Sequence, residues 1–227
     1  VRGLFVTGTD TGAGKTLVSA AIVAAMAANA VRMAVHKPVL TGTAEPPGEW
    51  PPDDELLALA AGVEPDGVTS RRYAPAVSPH LAASLAGEKL DPAELVSDAR
   101  AAGAGADALI VEGVGGLLVP FAGDFTVRDL AVELCLDVLI AARPVLGTIN
   151  HSLLTVEAAR DAGLDVKAVV MTPWPERPSA MERSNRETVA RLGEVEVATL
   201  AEIPGPDAAA LARAGEQLPW RDWLGPS

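Results

Sequence analysis

Gly8-Thr9-Asp10-Thr11-Gly12-Ala13-Gly14-Lys15-Thr16 follows the apolar run Leu4-Phe5-Val6 and leads into a helical stretch from Leu17 to Ala28. Strand, glycine-rich turn, Lys-Thr and helix in that order make a phosphate-binding loop. Small residues let successive backbone N–H groups turn toward an anion, and the helix N-terminus behind them adds its dipole. The common pattern leaves four residues between the first glycine and Gly-Lys-Ser/Thr. Here five separate Gly8 from Gly14. The change is one of spacing, not of chemistry: Lys15 is expected at the β and γ phosphates of a nucleoside triphosphate and the Thr16 hydroxyl on magnesium. Kinases, partition ATPases and ligases all use such a loop, so it leaves the reaction open.

Around the loop, apolar runs alternate with helical stretches. Met33 to His36 closes a first β-α-β unit, and Glu55 to Ala61 reads as a helix. Later runs at Ala108 to Val111, Val138 to Ala141 and Ala168 to Met171 each precede a glycine- or proline-bearing loop and a helix. Continuous apolar runs mark strands buried on both faces. The predicted fold is therefore a doubly wound α/β domain of the P-loop NTPase type, with a mainly parallel sheet and helices on both faces, and residues 1–227 are expected to form one domain. Glu45 to Pro52, with four prolines in eight residues, reads as a flexible loop beside the site, and Pro173 to Pro178 as a second loop.

Composition narrows the partners. Among 227 residues, 30 acidic side chains against 18 basic ones give a formal charge of −12, which opposes a nucleic-acid backbone. No apolar run approaches the roughly 18 residues that cross a bilayer, and no secretory leader is visible, so a cytoplasmic protein without membrane attachment is expected. Cys135, the one cysteine, lies in an apolar run and is read as core packing. His36, His80 and His151 lack metal-ligand spacing.

Polar residues at strand ends suggest the chemistry. Lys37 follows the second strand, with Thr41 close behind, so a second ammonium and a hydroxyl reach the loop's edge of the sheet. Two lysines there suit phosphoryl transfer to an anionic acceptor. Asp53-Asp54 precedes a helix, where acids cap as readily as they bind magnesium. Glu112 ends a buried strand before Gly113-Val114-Gly115-Gly116 and needs a partner there, which makes it the better metal candidate. Gly147 to Asn150 opens a helix whose free N–H groups form a local anion site, with Asn150 as an alternative cap.

Taken together, Gly8-Thr9-Asp10-Thr11, Gly14-Lys15-Thr16, Lys37-Pro38-Val39, Thr41-Gly42, Ser78-Pro79-His80, Glu112-Gly113-Val114-Gly115-Gly116, Leu146 to His151 and Glu202-Ile203-Pro204 closely resemble the dethiobiotin synthetase family in order and spacing. The resemblance implies a homodimeric enzyme that uses ATP, magnesium and CO2 or bicarbonate to close the ureido ring of 7,8-diaminopelargonic acid. It carries catalytic roles to Lys15, Lys37 and Thr11, and magnesium to Thr16, Asp54 and Glu112. Nucleotide contacts fall to Gly12 through Leu17 (Ala13 included), Asp54, Glu112 to Gly115, Thr172, Pro173 and Ile203-Pro204-Gly205. Substrate contacts fall to Lys37, Thr41 and Gly147-Thr148-Ile149-Asn150, the last four across the dimer interface. A partition-type ATPase acting through protein partners is the alternative.

Two positions depart from the family pattern. Gly12 stands where many relatives carry glutamate, and Thr172-Pro173 stands where an Asn-Asp pair reads the adenine edge. A hydroxyl and a proline cannot reproduce an amide's paired donor and acceptor, so relaxed nucleotide choice is expected. Trp174 is a candidate to stack on the base, with packing of a loop tryptophan on the protein surface as the alternative.

Overall fold

The computed structural model describes residues 2–46 and 48–225. In chain order it runs β1 (Arg2–Gly8), α1 (Lys15–Ala28), β2 (Met33–His36), β3 (Leu40–Thr41), α2 (Asp53–Ala61), β4 (Arg72–Tyr73), α3 (Pro79–Leu85) and α4 (Pro92–Ala102). It continues through β5 (Ala108–Gly116), β6 (Pro120–Ala122), β7 (Phe125–Thr126), α5 (Val127–Leu134), β8 (Asp137–Ala142), α6 (Thr148–Asp161), β9 (Val166–Trp174), α7 (Ala180–Gly193), β10 (Glu196–Ala201), α8 (Ala208–Gly215) and α9 (Trp220–Leu224). One six-stranded sheet, ordered β10-β9-β8-β1-β5-β2, is parallel at every pairing.

Alternation along each strand divides the core. Leu4 and Val6 of β1 join Leu139, Ile110 and the apolar residues of α1, α2 and α8 on one face. Phe5 joins Val111, Ile140 and residues of α4 to α7 on the other. Successive side chains of a strand point to opposite faces, so a strand in the middle of a doubly covered sheet must be apolar throughout. α8 reaches α1 at backbone distance: a Cβ on Gly215 would lie 1.9 Å from the Ala21 carbonyl oxygen. Trp220 and Trp223 are buried in the same cluster, so the tryptophan-bearing tail docks on the body; Pro226 and Ser227 lie outside the described residues.

Three local expectations need correction. Cys135 is exposed, because α5 ends there and the residue turns left-handed (φ 53°) while Leu136 continues into the core. Pro173 and Trp174 belong to β9, and only the residues beyond them form the loop; a register irregularity against β10 accommodates a proline that has no N–H to give. Gly147, not Asn150, caps α6, and Asn150 lies exposed within the first turn. The stretch from Glu45 to Pro52 carries no helix or strand over its described residues, Pro47 lying outside them. No helix among the described residues is long and apolar enough to cross a membrane.

Candidate active site

β1 delivers the phosphate loop at the sheet's middle, where chain connections run outward in both directions. Gly12 and Gly14 take positive φ (72° and 93°), and Gly14 caps α1 without any side-chain cap bond. The first N–H groups of α1 are therefore left for an anion. A side chain at Gly14 would also collide with Thr172, whose methyl stands 2.4 Å from the position of a Cβ.

Lys15 folds back over the loop and donates to the Asp10 carbonyl at 3.2 Å. Burial lowers its pKa, offset in part by Glu112 and reinforced by the nearby Lys37 charge. An ammonium so poorly solvated gains strongly from an incoming phosphate.

Lys37 and Glu112 meet because β2 and β5 are paired, with His36 opposite Val111. Lys37 Nζ lies 2.6 Å from Glu112 Oε1 and 2.8 Å from Asp53 Oδ2. Burial alone would lower the Lys37 pKa, but the two carboxylates outweigh it and raise it, so this lysine is held as a cation. Asp53 responds in the opposite direction: its surroundings alone would raise its pKa, while Lys37 and a Thr16 hydrogen bond hold it below the usual carboxylate range. Thr16 Oγ1 donates to Glu112 Oε1 at 3.0 Å.

Glu112 is fully buried, yet its Oε2 has no hydrogen-bond partner among the described residues. A bare carboxylate oxygen in a protein interior calls for a cation. The neighbouring donors, Thr16 and Asp53, are also oxygens, the type that magnesium takes. The described residues offer no cluster of three or more acidic, histidine or cysteine side chains for a metal. The protein side chains at hand are two carboxylates and a hydroxyl, all oxygen donors, a set that fits magnesium because this ion ordinarily completes its shell with phosphate oxygens and water.

Asp54 departs from the expectation for it. Its carboxylate is buried and faces Arg72 Nε at 2.8 Å, away from Lys37. Adjacent helical residues point about 100° apart, so only one of the pair can face the loop, and that one is Asp53.

One cavity of about 630 Å³ gathers Thr11, Gly12, Gly14 through Leu17, Lys37, Thr41, Asp53, Val114 and Gly115. Ala13 and Gly113 are instead packing positions: Ala13 is buried, and a Cβ on Gly113 would meet Val127 and Phe5. Leu40, Trp50, Leu56 and Val77 form an apolar side of the cavity. Trp50 escaped sequence reading; its only signal was an aromatic residue in a proline-rich loop.

The other expected residues stand elsewhere along the sheet edge. Thr172 is buried behind Gly14 with its hydroxyl unpartnered among the described residues, so it supports the loop and offers no open donor. Pro173 is exposed. Ile203 is buried in the core, with Pro204 and Gly205 beyond it after β10. Gly147 to Asn150, at the start of α6, do not line the cavity; Thr148 is buried against Ser152. Trp174 is half-buried and packs with the face of the sheet opposite α1.

Residues 2–209 match a family described as an AAA domain. The chain is 42% identical over 205 residues to the ATP-dependent dethiobiotin synthetase BioD of Anaeromyxobacter sp. (strain Fw109-5), covering 86% of this chain and 91% of that one. It is 40% identical to the protein of the same name from Mycobacterium sp. (strain KMS), with 86% of each chain covered. To that of Anoxybacillus flavithermus it is 34% identical, over 90% of this chain and 92% of that one. Among solved structures, the Aquifex aeolicus MinC:MinD cell division protein complex aligns with a TM-score of 0.60 at 13% identity, over 97% of both chains. The Pyrococcus furiosus cell division ATPase MinD aligns at 0.58 and 17%, over 95% of this chain and 97% of that one. Likeness at that identity speaks for the P-loop fold alone, and lends no weight to a partition-type activity.

Proposed function

The chain belongs to the ATP-dependent dethiobiotin synthetases, and from that premise we propose that it closes the ureido ring of 7,8-diaminopelargonic acid with CO2, using ATP and magnesium. The observation that carries the reading is the convergence of Lys15 and Lys37 on one cavity, beside Glu112, Asp53 and the Thr41 hydroxyl.

In this reading one substrate amine takes up CO2 as a carbamate. A carbamate oxygen attacks the γ-phosphorus of ATP and ADP leaves. The second amine then attacks the carbamoyl carbon, and the C–O bond to phosphate breaks, releasing phosphate and the cyclic urea. Lys15, held in a poorly solvated position, receives charge on the transferring phosphoryl group. Lys37 stays charged and serves the carbamate side, with Thr11 lining the loop and Thr41 hydrogen-bonding the substrate. Thr16, Asp53 and Glu112 are the residues proposed for magnesium, which when bound neutralises phosphate charge.

The apolar wall at Leu40, Leu56 and Val77 suits the aliphatic chain of the substrate. Its carboxylate is proposed to reach the N-terminus of α6 from the partner in a homodimer, and a cytoplasmic location goes with that assignment. The whole chain is proposed to act as one synthetase domain. The experiment is phosphate release dependent on both diaminopelargonic acid and bicarbonate, with Lys37→Ala alongside. Wild-type release that Lys37→Ala reduces by about 100-fold or more is expected, in line with losing one charge-stabilising donor. Release by Lys37→Ala at the wild-type rate, or none from wild type with any nucleotide, overturns the reading.

A further inference from the structure

We propose that Arg72 is a positioning residue for the metal site, acting through Asp54. The proposal builds on the assignment of Asp53 to magnesium and names what aims that carboxylate.

Asp53 and Asp54 open α2 side by side, and each has a cationic partner from a different element. Asp53 faces Lys37 at 2.8 Å, while Asp54 faces Arg72 Nε at 2.8 Å. Pro52, the N-cap of α2, makes no side-chain cap bond; the polar side-chain ties on its first residues are these two ion pairs and the Thr16 hydrogen bond to Asp53. Their settings differ. The Asp54 side chain is only 6% exposed, whereas Asp53 stands at 43% toward the cavity. A carboxylate as buried as Asp54 keeps its place only while its partner is present; without Arg72 it must move toward water. Movement of Asp54 turns the whole first turn of α2, and with it the direction of Asp53.

The far end of the tie is placed for this task. Arg72 lies in β4 opposite Leu40 of β3, and its neighbour Tyr73 lies opposite Thr41. The clamp thus fixes the metal-side acid to the two-stranded ribbon that carries the acceptor-side hydroxyl. Arg72 also reaches Asp66 Oδ1 at 2.9 Å, but Asp66 is 92% exposed and an ion pair in water contributes little.

The test measures metal binding instead of turnover. Mn2+ is titrated into full-length protein holding a non-hydrolysable ATP analogue and followed by electron paramagnetic resonance, while calorimetry in EDTA gives analogue affinity without metal. Arg72→Leu and Asp54→Asn are each expected to weaken Mn2+ about tenfold, the size found when a group supporting a metal ligand is removed. Analogue affinity in EDTA should stay unchanged, and Arg72→Lys should recover part of the loss. Asp53→Asn is the reference for the metal assignment. If it weakens Mn2+ while Arg72→Leu and Asp54→Asn bind as wild type does, the clamp alone is overturned. If Asp53→Asn also binds normally, the metal assignment falls and the clamp with it. Equal losses with and without metal in the Arg72 and Asp54 variants mean a general structural role and overturn the proposal. Asp54→Asn keeps volume and shape, so it decides the matter should Arg72→Leu fail to fold.

Discussion

His36 stands one residue before Lys37, is 6% exposed, and leaves its Nε2 without a partner among the described residues. Burial pushes its pKa down to about 4, with Asp98 pulling the other way and Arg71 adding to the fall. The folded state therefore holds fewer protons than the unfolded chain between pH about 6.5 and about 4, and stability falls as pH falls through that window. Taking about 1.4 kcal/mol per pH unit, the loss between pH about 6.5 and 5 is about 2 kcal/mol. Asp53 adds its own loss only lower, since its depressed pKa begins to matter below the ordinary value of 3.8. Urea unfolding at pH 7 and pH 5 should show that difference in wild type and a much smaller one in His36→Met. An equal fall in both proteins would mean that other groups set the acid slope.

A second residue bears on nucleotide choice. Thr172 turns its methyl to the phosphate loop and keeps its hydroxyl buried, so it presents no amide-like pair of donor and acceptor to a base. Turnover with ATP, CTP and GTP at equal concentrations is expected to differ by less than about tenfold, the effect of roughly one neutral hydrogen bond. A strong preference for ATP would show that the base is read elsewhere.

At the scale of elements, the phosphate loop joins local backbone need with a tertiary contact. Gly14 has φ 93°, where a side chain is strained, and Thr172 of β9 fills the space that a Cβ would take. Gly14→Ala must therefore displace the loop, at about 1–3 kcal/mol of backbone strain alone. Calorimetry should find nucleotide affinity reduced by about tenfold or more. Gly62→Ala is the matched control: φ there is 69° at the end of α2, but nothing lies within 4 Å of the added carbon. That variant should lose stability and keep nucleotide affinity.

The longer elements were readable because each carries many apolar residues in one rhythm. The strand cores at Leu4 to Val6, Met33 to His36 and Val138 to Ala141 fall inside β1, β2 and β8. The ribbons β3–β4 and β6–β7 were not readable, since two or three residues per strand give no periodicity. Arg72 stayed hidden with them, as its meaning comes from the strand opposite and from a helical carboxylate eighteen residues earlier.

For the molecule as a whole, exposed apolar side chains stand just before α6 and along it. Leu146 is 89% exposed, Val145 47% and Leu154 55%, on a chain whose formal net charge is −12. In the proposed homodimer, net repulsion between two copies must be overcome locally, and an apolar patch of this kind is suited to it. Leu146→Asp is expected to shift sedimentation from dimer to monomer and to raise the KM for diaminopelargonic acid more than that for ATP. A monomeric wild type, or a variant that stays dimeric with unchanged KM, would contradict the homodimer reading.

The sequence alone determined the phosphate loop, the parallel α/β plan and the pair of lysines at one sheet edge, because these depend on residue type, order and short-range periodicity. Tertiary structure decided between Asp53 and Asp54, turned Cys135 to solvent, put Thr172 behind the loop and made Glu112 the shared partner of Lys37 and Thr16. The reason is physical: in a helix neighbouring residues differ in direction by about 100°, and which direction meets a charge depends on elements far away in the chain.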